Sequence, residues 1–137
     1  MNPYVLGLSA FYHDSAAAIV RGSEIIAAAQ EERFTRKRHD ASFPRNAINY
    51  CLAEAFVEPS DVPVVAFYDN SALTIDRAVR NFITVAPTGE GAFVKAMTDL
   101  LGGKLALRPL LQETLGAERP LWFVDHHISH AASAFYP

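Results

Sequence analysis

Three apolar runs decide the fold: Tyr4-Val5-Leu6-Gly7-Leu8-Ser9-Ala10, Ala16-Ala17-Ala18-Ile19-Val20 and Ile25-Ile26-Ala27-Ala28-Ala29-Gln30. Alanine by itself favours helix. These runs are short, carry Ile and Val, and are bounded by turn residues, so they are expected as small, tightly covered strands. Residues 9–15 break the first run from the second, and Arg21-Gly22-Ser23-Glu24 makes a turn before the third. Short connections place neighbouring strands antiparallel, so the chain opens with a meander.

Working outward, residues 31–42 are polar and expected as a loop or irregular extension. Pro44 then opens a helix, in whose first turn proline is tolerated. Ala47, Ile48, Cys51, Leu52 and Ala55 fall on one face at the helical period. Val64-Val65-Ala66-Phe67-Tyr68 is expected as a buried strand, with Asp69-Asn70-Ser71 as its exit. Leu73, Ala78, Val79, Phe82 and Ile83 suggest an amphipathic helix, interrupted at Pro87-Thr88-Gly89-Glu90-Gly91. Phe93, Val94, Met97, Leu100 and Leu101 support another helix, and residues 109–115 a last one with Gly116 past its end. Leu121-Trp122-Phe123-Val124-Asp125 is expected as a final buried strand with Trp122 in the core, followed by a helix. The fold class is therefore α/β, a mixed sheet starting with a three-stranded antiparallel meander and carrying helices on both faces. This is the order of the ribonuclease-H-like fold, which also builds each lobe of actin-like ATPases and sugar kinases.

A chain of 137 residues, half of them hydrophobic, is one domain's worth with a real core rather than a disordered segment. The net charge of −3 gives no global attraction for nucleic acid or an anionic membrane. A single cysteine, Cys51, excludes an internal disulfide framework and suits a reducing compartment. It lies on an apolar helix face and is expected in the core. The start lacks a basic leader pattern, and no apolar run reaches membrane-spanning length. The expectation is a cytoplasmic protein.

Three of the five histidines lie in His126-His127-Ile128-Ser129-His130, where the last strand hands over to a helix. In open α/β sheets, ligands bind at the carboxyl ends of strands. His126 and His130 are four apart and share one helix face, so the pair suits one metal ion. The alternative is two partly exposed imidazoles satisfied by water or backbone. A helix N-terminus disfavours a cation and so favours neutral imidazole, the form that coordinates metal. A complete site needs more ligands, and Asp125 is expected to point elsewhere.

The first turn, Ser9-Ala10-Phe11-Tyr12-His13-Asp14-Ser15, holds a second candidate. Actin-like folds place a phosphate-contacting loop between their first two strands. His13 could act as a general base or donate a hydrogen bond to a substrate oxygen. It could equally be a turn histidine, with Asp14 fixing the turn. Arg33, Arg36, Lys37 and Arg38 place four cations in six positions, which suits phosphate or, more blandly, a solvated loop. Flanking Glu31, Glu32 and Asp40 argue against a nucleic-acid patch. Tyr68 and Asp69 end a strand and could face a ligand.

Taken together, three stretches are more specific than any of them alone. They are Gly7-Leu8-Ser9-Ala10-Phe11-Tyr12-His13-Asp14-Ser15-Ala16-Ala17, Ala29-Gln30-Glu31-Glu32-Arg33-Phe34-Thr35-Arg36-Lys37-Arg38-His39-Asp40 and Asp125-His126-His127-Ile128-Ser129-His130-Ala131-Ala132-Ser133-Ala134-Phe135-Tyr136-Pro137. In this order and spacing, the chain resembles the amino-terminal region of the NodU/CmcH family of carbamoyltransferases. Residues 70–118 match loosely, and Asn70 stands where a lysine would be expected.

The resemblance implies transfer of a carbamoyl group from carbamoyl phosphate to a hydroxyl of a sugar, antibiotic or similar small acceptor. It implies use of ATP through carbamoyl-adenylate, and an actin-like domain akin to the enzyme that installs threonylcarbamoyl on tRNA. It implies that His126 and His130 hold an iron-type divalent metal, with manganese, magnesium and zinc as alternatives. His13 would stand at the transfer centre, Tyr12 in the substrate-contacting turn, and Lys37 and Arg38 against phosphate charge. Family members run longer, so residues 1–137 are expected to form the first lobe only. A second lobe with a carboxylate ligand and an adenylate-forming domain would lie further along the polypeptide. A lobe by itself is expected to be inactive and, through exposed apolar surface, able to self-associate. The competing expectations are a non-catalytic nucleotide- or metal-binding lobe, and an ATPase or sugar kinase of the same superfold. The first turn lacks the glycine-rich phosphate loop that the latter would need.

Overall fold

The computed structural model describes residues 2–135. Met1, residues 136–137 and the side chains of Ser71, Ala72, Leu100, Leu101 and Lys104 lie outside what it describes. The elements run β1 (Tyr4–Ser9), β2 (Ala16–Arg21), β3 (Glu24–Gln30), α1 (Glu32–Thr35), α2 (Arg45–Glu54), β4 (Val64–Phe67), α3 (Ser71–Val85), α4 (Glu90–Gly103), α5 (Leu107–Leu115), β5 (Leu121–Phe123) and α6 (His126–Phe135). Short 3₁₀ turns occupy Pro59–Asp61 and Lys104–Ala106. The expected meander is present, with β2 antiparallel to both β1 and β3 and Gly22 at φ 64 in the tight turn between β2 and β3.

The five strands lie in the order β3-β2-β1-β4-β5, with β4 parallel to β1 and β5 parallel to β4. This is the ribonuclease-H-like arrangement. Both parallel crossovers step in the same direction across the sheet. Right-handed connections therefore put α2 and α5 on the same face. The buried residues agree with that. Leu6, Leu8, Ala17, Ile19, Val65 and Phe67 from the sheet join Ala47, Ile48, Cys51 and Leu52 of α2, and Leu107, Leu111 and Leu115 of α5, in one core cluster. Each fully buried aliphatic or aromatic side chain contributes about 1.5–3 kcal/mol. The opposite side of β1 and β4, carrying Val5, Gly7, Ser9, Val64 and Ala66, is only partly buried, so helical cover is uneven.

Two expectations are corrected. Trp122 is not core: it is 61% exposed, because it pairs with Ala66 on the side of the sheet away from the cluster, at the edge strand β5. Leu121, by contrast, packs against the cluster, and Phe123 meets Phe67 edge-on at 6.2 Å between ring centroids. Residues 31–42 are not simply a solvated loop. Glu31 is 2% exposed, and its carboxylate accepts the backbone N–H groups of Asn46 and Ala47 at 3.2 and 2.9 Å and the Asn46 Nδ2 at 2.6 Å. Pro44 precedes α2 and offers no side-chain cap. Glu31 therefore satisfies the orphan donors of that helix and places negative charge at its positive end. At the other end of α5, Gly116 (φ 71) stops the helix in the left-handed conformation, as expected.

Candidate functional site

The carboxyl ends of β1, β4 and β5 converge on one cleft of about 420 Å³. Phe11 and Tyr12 line it from the first turn, Tyr68 and Asp69 from the exit of β4, and His126 and His127 from the start of α6. Three segments distant in sequence thus meet where the topology puts a ligand site. Hydrogen bonds fix the junction. Tyr68 N–H donates to the Leu8 carbonyl at 3.1 Å, Val124 N–H to the Phe67 carbonyl at 2.9 Å, and the Ser129 hydroxyl to the Tyr68 carbonyl at 3.2 Å. Burial, with help from Asp69 and Tyr12, pushes the Tyr68 phenol up to about 12, so it stays protonated and donates to the Ala10 carbonyl at 3.4 Å.

His126 and His130 occupy one face of α6 with their Nε2 atoms 3.1 Å apart. An ion about 2.0–2.1 Å from each imidazole nitrogen leaves its ligand atoms roughly 3 Å apart. The separation of the pair is compatible with a shared divalent ion, and it is equally the distance at which one imidazole N–H donates to the other. Asp125 is engaged otherwise, as expected, its Oδ1 accepting the His127 N–H at 2.9 Å. Among the described residues, no carboxylate, imidazole or thiolate completes a three-ligand group with this pair.

His13 lies beside the cleft rather than in its lining. Tyr12 is the link, with its ring centroid 4.5 Å from that of His13 while it also lines the cleft that His126 lines. Lys37 and Arg38 are exposed and outside the cleft. They directly precede His39, whose Nδ1 lies 2.8 Å from Asp14 Oδ1, so the basic run is tethered to the first turn. Two backbone bonds reinforce the tether, from Phe11 N–H to the Ala41 carbonyl at 2.9 Å and from Ser15 N–H to the Asp40 carbonyl at 2.8 Å. Asp40, buried beneath, accepts from the Thr35 hydroxyl, the Ser42 N–H and the Ser42 hydroxyl. Those bonds, Ser42's foremost, lower its carboxyl to about 2.

Several residues were not legible as site residues in the sequence. His39 is one; its partner lies 25 positions earlier. Thr74 and Arg77 of α3 and Asp99 of α4 also line the cleft, within the loosely matching region. Asp14, Glu32 and His39 bring three ligand-type atoms within 4.8 Å of one another. Those groups already engage one another, since Glu32 accepts the His39 N–H at 3.0 Å and Asp14 takes the His39 ring nitrogen. They make a hydrogen-bonded network.

The sheet order and the strand-end cleft define an α/β lobe of the ribonuclease-H-like, actin-type class. Residues 4–137 match the family described as carbamoyltransferase N-terminus, and the chain belongs to that family. It is 46% identical to an uncharacterized protein of Synechocystis sp., over 98% of this chain and 23% of that protein. It is 38% identical to nodulation protein NolNO of Sinorhizobium fredii, over 91% of this chain and 18% of that protein. The chain thus spans less than a quarter of these relatives. Among solved structures, YeaZ from Pseudomonas aeruginosa aligns at a TM-score of 0.44 and 16% identity, over 90% of this chain and 44% of that one. No helix among the described residues is long and apolar enough to cross a membrane.

Proposed function

We propose that this chain is the first lobe of a cytoplasmic, ATP-dependent O-carbamoyltransferase. The full-length enzyme would move a carbamoyl group from carbamoyl phosphate, through carbamoyl-adenylate, to a hydroxyl of a small acceptor such as a sugar or antibiotic. Family membership supports the transferase class. The observation that carries the site is the 3.1 Å approach of the His126 and His130 nitrogens on a helix that opens at a strand-end cleft.

In this reading His126 and His130 hold a divalent ion of the iron type, which when bound would offset negative charge on the nucleotide phosphates. Tyr12 borders the substrate. His13 accepts the proton of the acceptor hydroxyl as that oxygen bonds to the carbamoyl carbon. The bond from that carbon to the phosphate oxygen breaks, and AMP leaves with the electron pair. Lys37 and Arg38 offset the charge expelled. A second lobe and an adenylate-forming domain of the same longer polypeptide complete the site.

The test is to supply full-length protein with ATP and carbamoyl phosphate and to follow pyrophosphate and carbamoylated acceptor. Pyrophosphate release that requires carbamoyl phosphate, kept in His13→Asn while acceptor carbamoylation falls, is the expected result. ATP turnover indifferent to carbamoyl phosphate would sink the proposal.

A further inference from the structure

The first turn and the loop after α1 meet through one carboxylate shared by two imidazoles. Asp14 Oδ2 lies 2.7 Å from His13 Nδ1, and Asp14 Oδ1 lies 2.8 Å from His39 Nδ1. An ionised carboxylate only accepts hydrogen bonds, so both ring nitrogens must be the N–H donors. His39 first, then His13, hold Asp14 below its ordinary value, so it is ionised at neutral pH. A neutral imidazole that donates through Nδ1 keeps its lone pair on Nε2.

We propose that Asp14 and His39 are positioning residues for His13, with the shared carboxylate fixing the His13 tautomer so that Nε2 is free to accept a proton. The proposal rests on His13 being the transfer base. The logic is that of a nucleophile or base oriented by a third group. His39 keeps the carboxylate's second oxygen occupied and anchors the loop bearing Lys37 and Arg38 to the same point.

The backbone argues that this arrangement is built. Asp14 (φ 49) and His39 (φ 54) both sit in the left-handed region, where Asp and His are among the better tolerated non-glycine residues. Phe11 (φ 70) joins Asp14 in the first turn. Such conformations persist where surrounding bonds over-determine them, and they gather at functional sites. Here the bonds are those from Phe11 and Ser15 to the 40–41 backbone, from the Ser9 hydroxyl to the Asp14 carbonyl, and from His39 N–H to Glu32. The charged or titratable groups facing Asp14 are His13 and His39, with Glu32 behind His39 and Tyr12 beside His13.

A mere loop cross-link would have the same bonds, so the test reads tautomer as well as rate. Asp14→Gly removes the carboxylate at a backbone position glycine adopts without strain. Long-range ¹H–¹⁵N spectra of the imidazoles are recorded on this chain and the variant, and carbamoyl transfer on the full-length enzyme. Wild type is expected to show neutral His13 protonated on Nδ1, and Asp14→Gly to move that proton to Nε2. In the same variant kcat should fall about 100-fold, the scale of a lost general base, with the KM for ATP unmoved. His39→Asn, also tolerant of positive φ, should cost about 10-fold in kcat. Neutral wild-type His13 carrying its proton on Nε2 overturns the proposal, whatever the enzyme does. So does an unchanged kcat in Asp14→Gly. Should His13→Asn transfer carbamoyl at the wild-type rate, it is the functional reading that fails, even with the Nδ1–H tautomer observed.

Discussion

Tyr68 stands edge-on to His126, with ring centroids 5.5 Å apart, and its carbonyl accepts the hydroxyl of Ser129 one turn along the same helix. The end of β4 thus sets both the position and the rotation of α6, and with them the face carrying His126 and His130. The ring contact also holds His126 so that its Nε2 meets that of His130.

From this follows a metal prediction. Full-length wild-type protein should carry stoichiometric divalent metal by elemental analysis, and His126→Ala/His130→Ala should lose it. Calorimetry should show ATP binding weakened about 10-fold or more, equivalent to about 1.4 kcal/mol or more. Equal metal content and equal ATP affinity in both proteins would return the histidines to a structural role.

The cap on α2 can be measured apart from any chemistry. Glu31→Ala leaves the backbone donors of Asn46 and Ala47 without their acceptor, that of Ala47 in a fully buried setting. Unsatisfied buried donors cost about 1–3 kcal/mol, so the urea midpoint should fall by that equivalent with the slope unchanged. Glu31→Gln keeps an acceptor but loses the charge at the helix N-terminus, and should fall between the two. A wild-type midpoint in Glu31→Ala would remove the capping role.

Asp40 gives a pH prediction whose sign is fixed by a lowered pKa. Its carboxyl titrates near 2 in the folded chain, against 3.8 ordinarily. The unfolded chain therefore binds the proton first as pH falls. The stabilisation is fully present above about pH 4 and is lost as pH drops toward 2. Asp40→Asn should be less stable at neutral pH and flatter across that acid window. Parallel stability curves for the two proteins would show that the Thr35 and Ser42 bonds do not favour the ionised form.

What the sequence made legible was local. The meander, α2 and the His126/His130 face each follow from a period or a turn within about ten residues, where side-chain geometry repeats. What it hid was pairing at a distance. Glu31 looked like one more charge in a polar loop because its partners are backbone donors 15 positions on. The Asp14–His39 contact spans 25 positions and lies between two irregular loops, where no period exists to read. The α3 and α4 residues of the cleft were equally silent, since an amphipathic pattern tells which face is covered but not by what.

Trp122 was misread for a related reason, and the misreading is itself testable. An apolar run of Leu, Trp, Phe and Val fits a central strand, but strand order is a property of the whole sheet. Here β5 closes one edge of it and Trp122 pairs with Ala66 on the less covered face, so it is 61% exposed, while Phe67, the next residue of β4 and on the other face, is fully buried. As the single tryptophan, it reports its own environment. Its fluorescence in this chain should lie toward the red and be readily quenched by iodide. Trp122→Ser should shift stability by no more than about 0.5–1 kcal/mol, as for a surface substitution. Phe67→Ala should cost about 3–5 kcal/mol through its lost contacts and residual cavity. A blue-shifted, unquenched emission together with a core-sized loss in Trp122→Ser would mean that β5 is covered in solution, and that its edge position is not the state in which this chain exists.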